Sequence, residues 1–201
     1  MNKFIVFEGP DGCGKSTILD LVYNYYKNKN IPVIRTREPG GTDLGEEIRD
    51  IVLNSKSNIS SMSEAFLMAS SRCQLVDELI IPSLKTHNVL SDRFVLSSLV
   101  YQGIARGIGF EKVKELNDFA LKELKPDLTL YFSLDYDQAL ARKTKRGTTD
   151  NIEGEKGGFH RSIHEGYEMV YNRYKEDFNI IKIDASKSIS QVFESVAKIL
   201  D

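Results

Sequence analysis

The sequence predicts an α/β fold in which a five-stranded parallel sheet is flanked by helices. Three observations carry that expectation. Short apolar runs alternate with stretches of helical spacing along the chain. The first run, Phe4 to Phe7, is apolar without alternation, as a strand buried on both faces must be. It ends at a glycine-rich turn that opens a helical pattern, the strand–loop–helix order of a parallel crossover.

The elements follow in order. After the strand at Phe4, a helix is expected from Lys15 to about Asn28. Ile31-Pro32-Val33-Ile34 reads as the second strand. Ser61-Met62-Ser63-Glu64 has capping-box spacing ahead of "AFLMASSRCQLVDELI" and predicts a helix there. Val89 and Leu90 begin a third strand that ends at Ser91-Asp92-Arg93. Phe110, Val113, Leu116, Ala120 and Leu124 keep helical spacing. Leu128 to Leu134 and Asn179 to Asp184 are the fourth and fifth strands. Ser188-Ile189-Ser190-Gln191 caps a last helix, with Phe193, Val196 and Leu200 on one face. Residues 143–158, "KTKRGTTDNIEGEKGG", are charged and glycine-rich with one aliphatic residue, so a mobile lid is expected there.

The chain has 201 residues, which suits one domain spanning 1–201. A hydrophobic content of 41% with 28% charged residues excludes both disorder and a membrane-embedded chain. The net charge of -2 argues against a bulk nucleic-acid binder. Two cysteines make no disulfide framework, and no run reaches transmembrane length or signal-peptide form. A cytoplasmic protein is expected.

The strongest local signal is Gly9-Pro10-Asp11-Gly12-Cys13-Gly14-Lys15-Ser16-Thr17, which fits G-x-x-x-x-G-K-[ST] between a strand and a helix. Such a P-loop turns backbone N–H groups toward ATP phosphates at a helix N-terminus. Lys15 is expected on the β- and γ-phosphates, and the Ser16 hydroxyl on Mg²⁺. Cys13 reads as a small tolerated residue. No N-K-x-D guanine motif is present. Asp92, at the carboxyl end of a strand, can hold Mg²⁺ through water, and Arg93 offers a planar fork for a second phosphate. His160 and His164 lie four apart, but without a third ligand they read as surface histidines.

At these residues the chain resembles the thymidylate kinase group of P-loop nucleoside monophosphate kinases. The resemblance rests on "FEGPDGCGKST" at 7–17, "TREPGGT" at 36–42, "EAFLMASSRCQLV" at 64–76, "DRFVLSSLVYQGIARG" at 92–107, "PDLTLYF" at 126–132, "FHRSIHEGY" at 159–167 and "IDAS" at 183–186. It is closer to the bacterial form, because Gly12 stands where the eukaryotic form has an arginine.

The resemblance implies ATP and dTMP as substrates, Mg²⁺ as the metal, and a homodimer; Phe66, Leu75 and Leu79 are candidate contacts, and core burial explains these positions equally well. Arg37 and Arg93 are implied on the dTMP phosphate, a dianion suited to two guanidiniums. Arg72 is implied on a thymine carbonyl, Ser98 at the base edge, and Tyr101, Gln102 and Tyr167 around the nucleoside. Asp11 is implied on the sugar 3′-hydroxyl, and Ala185 and Ser186 along the adenine. The chain departs from the group twice. Met68 stands where a phenylalanine usually stacks on thymine, and Asn151 replaces a lid arginine. Arg146, with Arg142 second, is then expected on the transferring phosphoryl group or the adenine. The implied reaction is dTMP phosphorylation by alignment and charge neutralisation. A kinase for another nucleoside monophosphate or a deoxynucleoside, or a non-catalytic nucleotide switch, are the other readings.

Overall fold

The computed structural model describes residues 1–144 and 157–200. Five strands, β1 (Phe4–Glu8), β2 (Val33–Arg37), β3 (Asn88–Asp92), β4 (Leu128–Ser133) and β5 (Ile180–Asp184), form one parallel sheet in the order β2-β3-β1-β4-β5. The helices are α1 (Lys15–Asn28), α2 (Asp43–Asn54), α3 (Ser61–Leu75), α4 (Ile81–Ser83), α5 (Val95–Ser98), α6 (Phe110–Leu121), α7 (Tyr136–Thr144), α8 (Gly157–Tyr174) and α9 (Ile189–Leu200). Val76–Ile80 and Leu99–Ala105 are π-helical continuations of α3 and α5.

Every residue of β1 is buried, which is why its sequence does not alternate. Its side chains still alternate between faces. Phe4 and Val6 join a core with residues of α3, the α5 segment and α8, while Ile5 and Phe7 join one with α1 and α9. The parallel register pairs Phe7 with Asp92 and Arg37 with Asp92. The carboxyl ends of β1, β2 and β3 therefore open onto one edge, where such sheets bind ligands.

Three boundaries differ from the sequence reading. Strand β2 begins at Val33 rather than Ile31, because Pro32 has no N–H for the ladder and only its carbonyl serves, accepting from Asn88 N at 2.9 Å. Helix α3 is capped by Ser60, whose Oγ accepts from Ser63 N at 3.3 Å, and not by a Ser61 box. Glu64 turns inward instead, to Gln102 Nε2 at 2.8 Å. Helix α6 stops at Leu121, since Lys122 and Glu123 carry positive φ of 48° and 68°. Leu75 is fully buried in the core, so it is not an interface residue, whereas Phe66 is exposed. At the last helix the expected box is present: Gln191 N donates to Ser188 Oγ at 3.4 Å and Ser188 N to Gln191 Oε1 at 3.2 Å.

Candidate active site

The loop from Gly9 to Gly14 leaves β1 and turns into α1, with Gly9, Gly12 and Gly14 all at positive φ. A Cβ at Gly12 would lie 2.8 Å from the Ala139 carbonyl oxygen, so this turn requires glycine. Lys15 at the start of α1 is buried between two carboxylates, its Nζ 3.8 Å from Asp11 Oδ1 and 3.7 Å from Asp92 Oδ1. Ser16 Oγ donates to Asp92 Oδ2 at 2.6 Å, and Asp92 Oδ1 is buried without a hydrogen-bond partner. A hydroxyl and a carboxylate, both hard oxygen donors with one lone-pair set unspent, fit Mg²⁺.

Arg93 follows β3 in a left-handed conformation, φ 72°. Its Nη2 donates to Asp11 Oδ1. Its Nη1 reaches Gly9 O at 3.2 Å, Ser97 Oγ at 3.1 Å and Tyr167 OH at 3.1 Å. Burial opposes its charge, but Tyr101, Asp11, Tyr167 and Asp92 hold it well above the usual arginine range. Tyr101 OH donates to Asp11 Oδ2 at 3.2 Å, and its ring lies under the Arg93 guanidinium at 5.2 Å. Burial pushes the Tyr101 phenol up, so it stays a neutral donor.

A pocket opens beside this cluster, lined by Asp11, Arg93, Tyr101, Gln102, Met68 and Glu38, with Pro39, Arg49, Leu53 and Ser97 completing it. Met68 is both core and pocket wall, packing with Ile48 and Val52 of α2. Gln102 gives its amide N–H to Glu64, and its Oε1 is buried without a partner, an acceptor left for an N–H of a ligand. Glu38, before a cis peptide bond to Pro39, is buried against Arg72. Burial raises its carboxyl to about 7 despite that ion pair.

Three implied contacts sit behind this pocket rather than in it. Arg72 spends all five N–H donors inside the protein: Nε on Glu38 at 2.8 Å, Nη1 on Ser98 Oγ at 2.9 Å and on Asn117, and Nη2 on Glu38 and on Phe94 O at 3.0 Å. A thymine carbonyl could reach Arg72 only by exchange with one of these. Ser98 is buried as an acceptor for Arg72 and does not face the pocket. Tyr167 is likewise fully buried, its hydroxyl under Arg93. Arg37 also lies outside the pocket. It bonds Glu46 Oε2 at 2.8 Å and lines a neighbouring groove with Ser16 and Asp92.

A second groove lies across the loop, lined by Gly12, Cys13, Gly14, Thr17, Ile18 and Ala185, with Arg142, Lys187, Ser188, Ile189 and Val192. Arg142 Nη1 donates to Ala185 O at 3.1 Å, which places it at the β5 end of this groove, away from Arg93. Ser186 bonds back to Asp184, is exposed and does not line the groove. Arg146 and Asn151 lie outside the described residues. His164 is not a surface residue: it is half-buried, its Nδ1 3.1 Å from Leu134 O, and burial lowers its pKa. Among the described residues no group of three possible metal ligands occurs. The residues missed from sequence are Glu8, Glu38, Ser97, Arg49 and the 187–189 rim. Glu8 had a signal, a carboxylate ending a wholly buried strand, whereas Glu38 follows the half-exposed β2 and had none.

The model of the family "Thymidylate kinase" matches residues 7–196. A thymidylate kinase of Finegoldia magna is 44% identical, covering 98% of this chain and 97% of its own. One from Caldanaerobacter subterraneus subsp. tengcongensis is 42% identical over 99% and 95%. The crystal structure of thymidylate kinase from Ehrlichia chaffeensis superposes with a TM-score of 0.78 at 29% identity, covering 99% and 98%.

Proposed function

The chain belongs to the thymidylate kinase family, and on that premise we propose how its own residues carry the family's reaction. The protein is a nucleoside monophosphate kinase that phosphorylates dTMP to dTDP with ATP. One observation supports this assignment most directly. Two binding spaces flank a single loop, the Met68 pocket on one side and the Ala185 groove on the other. Between them stand Lys15, Asp92 and Arg93.

In this reading ATP lies with its adenine in the Ala185 groove and its phosphates on the loop N–H groups, with Lys15 on the β- and γ-phosphates. Arg142 closes the adenine end, which leaves Arg146 the lid candidate for the transferring group. Ser16, and Asp92 through water, would hold Mg²⁺, which would supply charge neutralisation to the phosphates. The dTMP phosphate meets Arg93, and Arg37 joins it by leaving Glu46. Asp11 accepts from the sugar 3′-hydroxyl, Tyr101 packs on the sugar, and Met68 packs on the base. Gln102 Oε1 accepts from the base N–H, while Arg72 and Ser98 shape the wall behind it. The acceptor phosphate is already anionic, so its oxygen attacks without a protein base.

The family match over 7–196 supports a single domain; the lid expected at 143–158 lies mostly outside the described residues. No helix among the described residues is long and apolar enough to cross a membrane, and we place the enzyme in the cytoplasm as a homodimer, with no nucleic-acid partner. The deciding experiment is ADP release from ATP with dTMP, dUMP, dCMP, dGMP and dAMP. A clear preference for dTMP is expected. Equal use of another monophosphate would replace dTMP as substrate, and binding of ATP without transfer to any acceptor would favour a switch.

A further inference from the structure

Glu8 ends β1 one residue before the phosphate loop and is completely buried. Its Oε1 accepts from Phe94 N at 2.8 Å and Ser97 N at 3.1 Å. Its Oε2 accepts from Ser97 Oγ at 2.6 Å and Tyr167 OH at 3.0 Å. The same two hydroxyls receive Arg93 Nη1, each at 3.1 Å. A guanidinium can only donate and a carboxylate can only accept. Each hydroxyl has one proton, which goes to Glu8 or to the other hydroxyl 2.9 Å away, so each presents a lone pair to Arg93. Burial pushes the Glu8 carboxyl up, while these donors and the nearby Arg93 charge favour its ionised form.

We propose that Glu8 is the positioning residue for Arg93, acting through Ser97 and Tyr167 to aim the guanidinium at the acceptor phosphate. Two grips act together. The backbone bonds to Phe94 and Ser97 hold the turn in which Arg93 adopts its left-handed conformation, a state unfavourable to a non-glycine residue. The hydroxyl bonds keep two acceptors facing Nη1. With Asp11 engaging Nη2, the guanidinium is held from both sides. This inference rests on the reading that Arg93 binds the dTMP phosphate.

Glu8→Gln is the informative change because it keeps the shape and reverses one polarity. If the amide oxygen stays on Phe94 N and Ser97 N, the NH₂ faces the two hydroxyls. They must then accept from it, and since only one of their protons can go to the other hydroxyl, at least one turns toward Arg93, donor against donor. If the amide flips, the two backbone N–H groups lose their acceptor. Either way Arg93 is displaced.

The test compares dTMP with thymidine, which lacks the phosphate, by calorimetric titration and steady-state kinetics. For Glu8→Gln the dTMP affinity should fall about tenfold or more, as expected for a misaligned charge-assisted contact. Thymidine affinity and the KM for ATP should stay within about threefold. Equal loss for dTMP and thymidine, or no loss for dTMP, would overturn the proposal. If Glu8→Gln does not fold, Tyr167→Phe and Ser97→Ala each remove one relay. A selective loss for dTMP in both supports the proposal, and unchanged dTMP affinity in both defeats it. The wild type decides the underlying reading: if it binds dTMP no better than thymidine, Arg93 is not a phosphate ligand and both ideas fall.

Discussion

Asp11→Ala should separate the two sides of the phosphate loop. The carboxylate faces the Met68 pocket and is about one-third exposed, so a sugar hydroxyl can reach it. A hydrogen bond to a charged acceptor contributes about 1.5–3 kcal/mol, which is roughly a 10- to 100-fold change at about 1.4 kcal/mol per decade. Arg93 loses one partner but keeps Gly9 O, Ser97 and Tyr167, so its position is largely retained. On the ATP side Lys15 keeps Asp92 at 3.7 Å after losing Asp11 at 3.8 Å. The expected result is a fall in kcat/KM for dTMP of roughly 10- to 100-fold, with the KM for ATP changed less than about threefold. The assay that isolates the cause compares dTMP with 3′-deoxy-dTMP. Wild type should favour dTMP by that same factor, and Asp11→Ala should treat the two alike. Equal losses toward ATP and dTMP, or a surviving preference for the 3′-hydroxyl, would show that Asp11 only supports the loop.

Three further outcomes follow from the geometry. Folding raises the Glu38 carboxyl from its ordinary value to about 7, so between pH about 4.5 and 7 the folded protein holds a proton that the unfolded chain has released. Its contribution to stability therefore falls as pH rises through that window and is level above it. Denaturant unfolding should show wild type losing on the order of 2 kcal/mol relative to Glu38→Gln between pH 5 and 8, and a parallel pair of curves would refute the shift. Gly41→Ala places a Cβ 2.2 Å from Thr36 Oγ1 and 2.7 Å from Leu75 Cδ1 at φ 82°, so a stability loss of about 2–5 kcal/mol is expected in the same measurement. Gly12→Arg drives a side chain into the Ala139 carbonyl beside the adenine-side groove and should raise the KM for ATP about tenfold while leaving thymidine binding unchanged. Thymidine binding lost to the same degree would place the damage in the whole fold.

The sheet was legible because the central strands β1 and β4 are almost entirely apolar, as burial on both faces demands, and shorter apolar runs marked β3 and the half-exposed edge strands β2 and β5 between helical patterns. The loop was legible because a phosphate cradle constrains residue type at fixed spacing. Boundaries were less so. A proline carbonyl and an outward cap serine shifted two of them, and the expected capping partner Glu64 was needed inside by Gln102 and Arg106. Helix α2 was unread although its cap is strong, with Thr42 Oγ1 accepting from Gly45 N at 3.0 Å. Its glycine and acidic first turn hide the apolar positions Ile48 and Val52 that meet Met68.

The functional residues divide by how they act. Residues expected to touch a ligand directly, such as Lys15, Ser16, Asp92 and Asp11, carry a type and spacing that chemistry dictates, and they could be named from sequence. Residues that act through another side chain cannot, because their chemistry becomes specific only when the fold supplies the partner. Ser97 and Tyr167 are ordinary until Glu8 and Arg93 fix which way their protons point. Arg72 looks like a ligand contact until Glu38, Ser98, Asn117 and Phe94 are seen to take all its donors. Arg93 itself lies between two carboxylates, with Asp11 in direct contact and Glu8 one hydroxyl away. That arrangement neutralises a buried guanidinium before substrate arrives, so the cation is held in place without being exposed. It also sets a cost for binding, since an arriving phosphate must share Arg93 with Asp11. A dianion with a 3′-hydroxyl to offer Asp11 in return meets that cost better than an anion without one, and on this argument selectivity for the nucleotide begins at the ion pair rather than at the base.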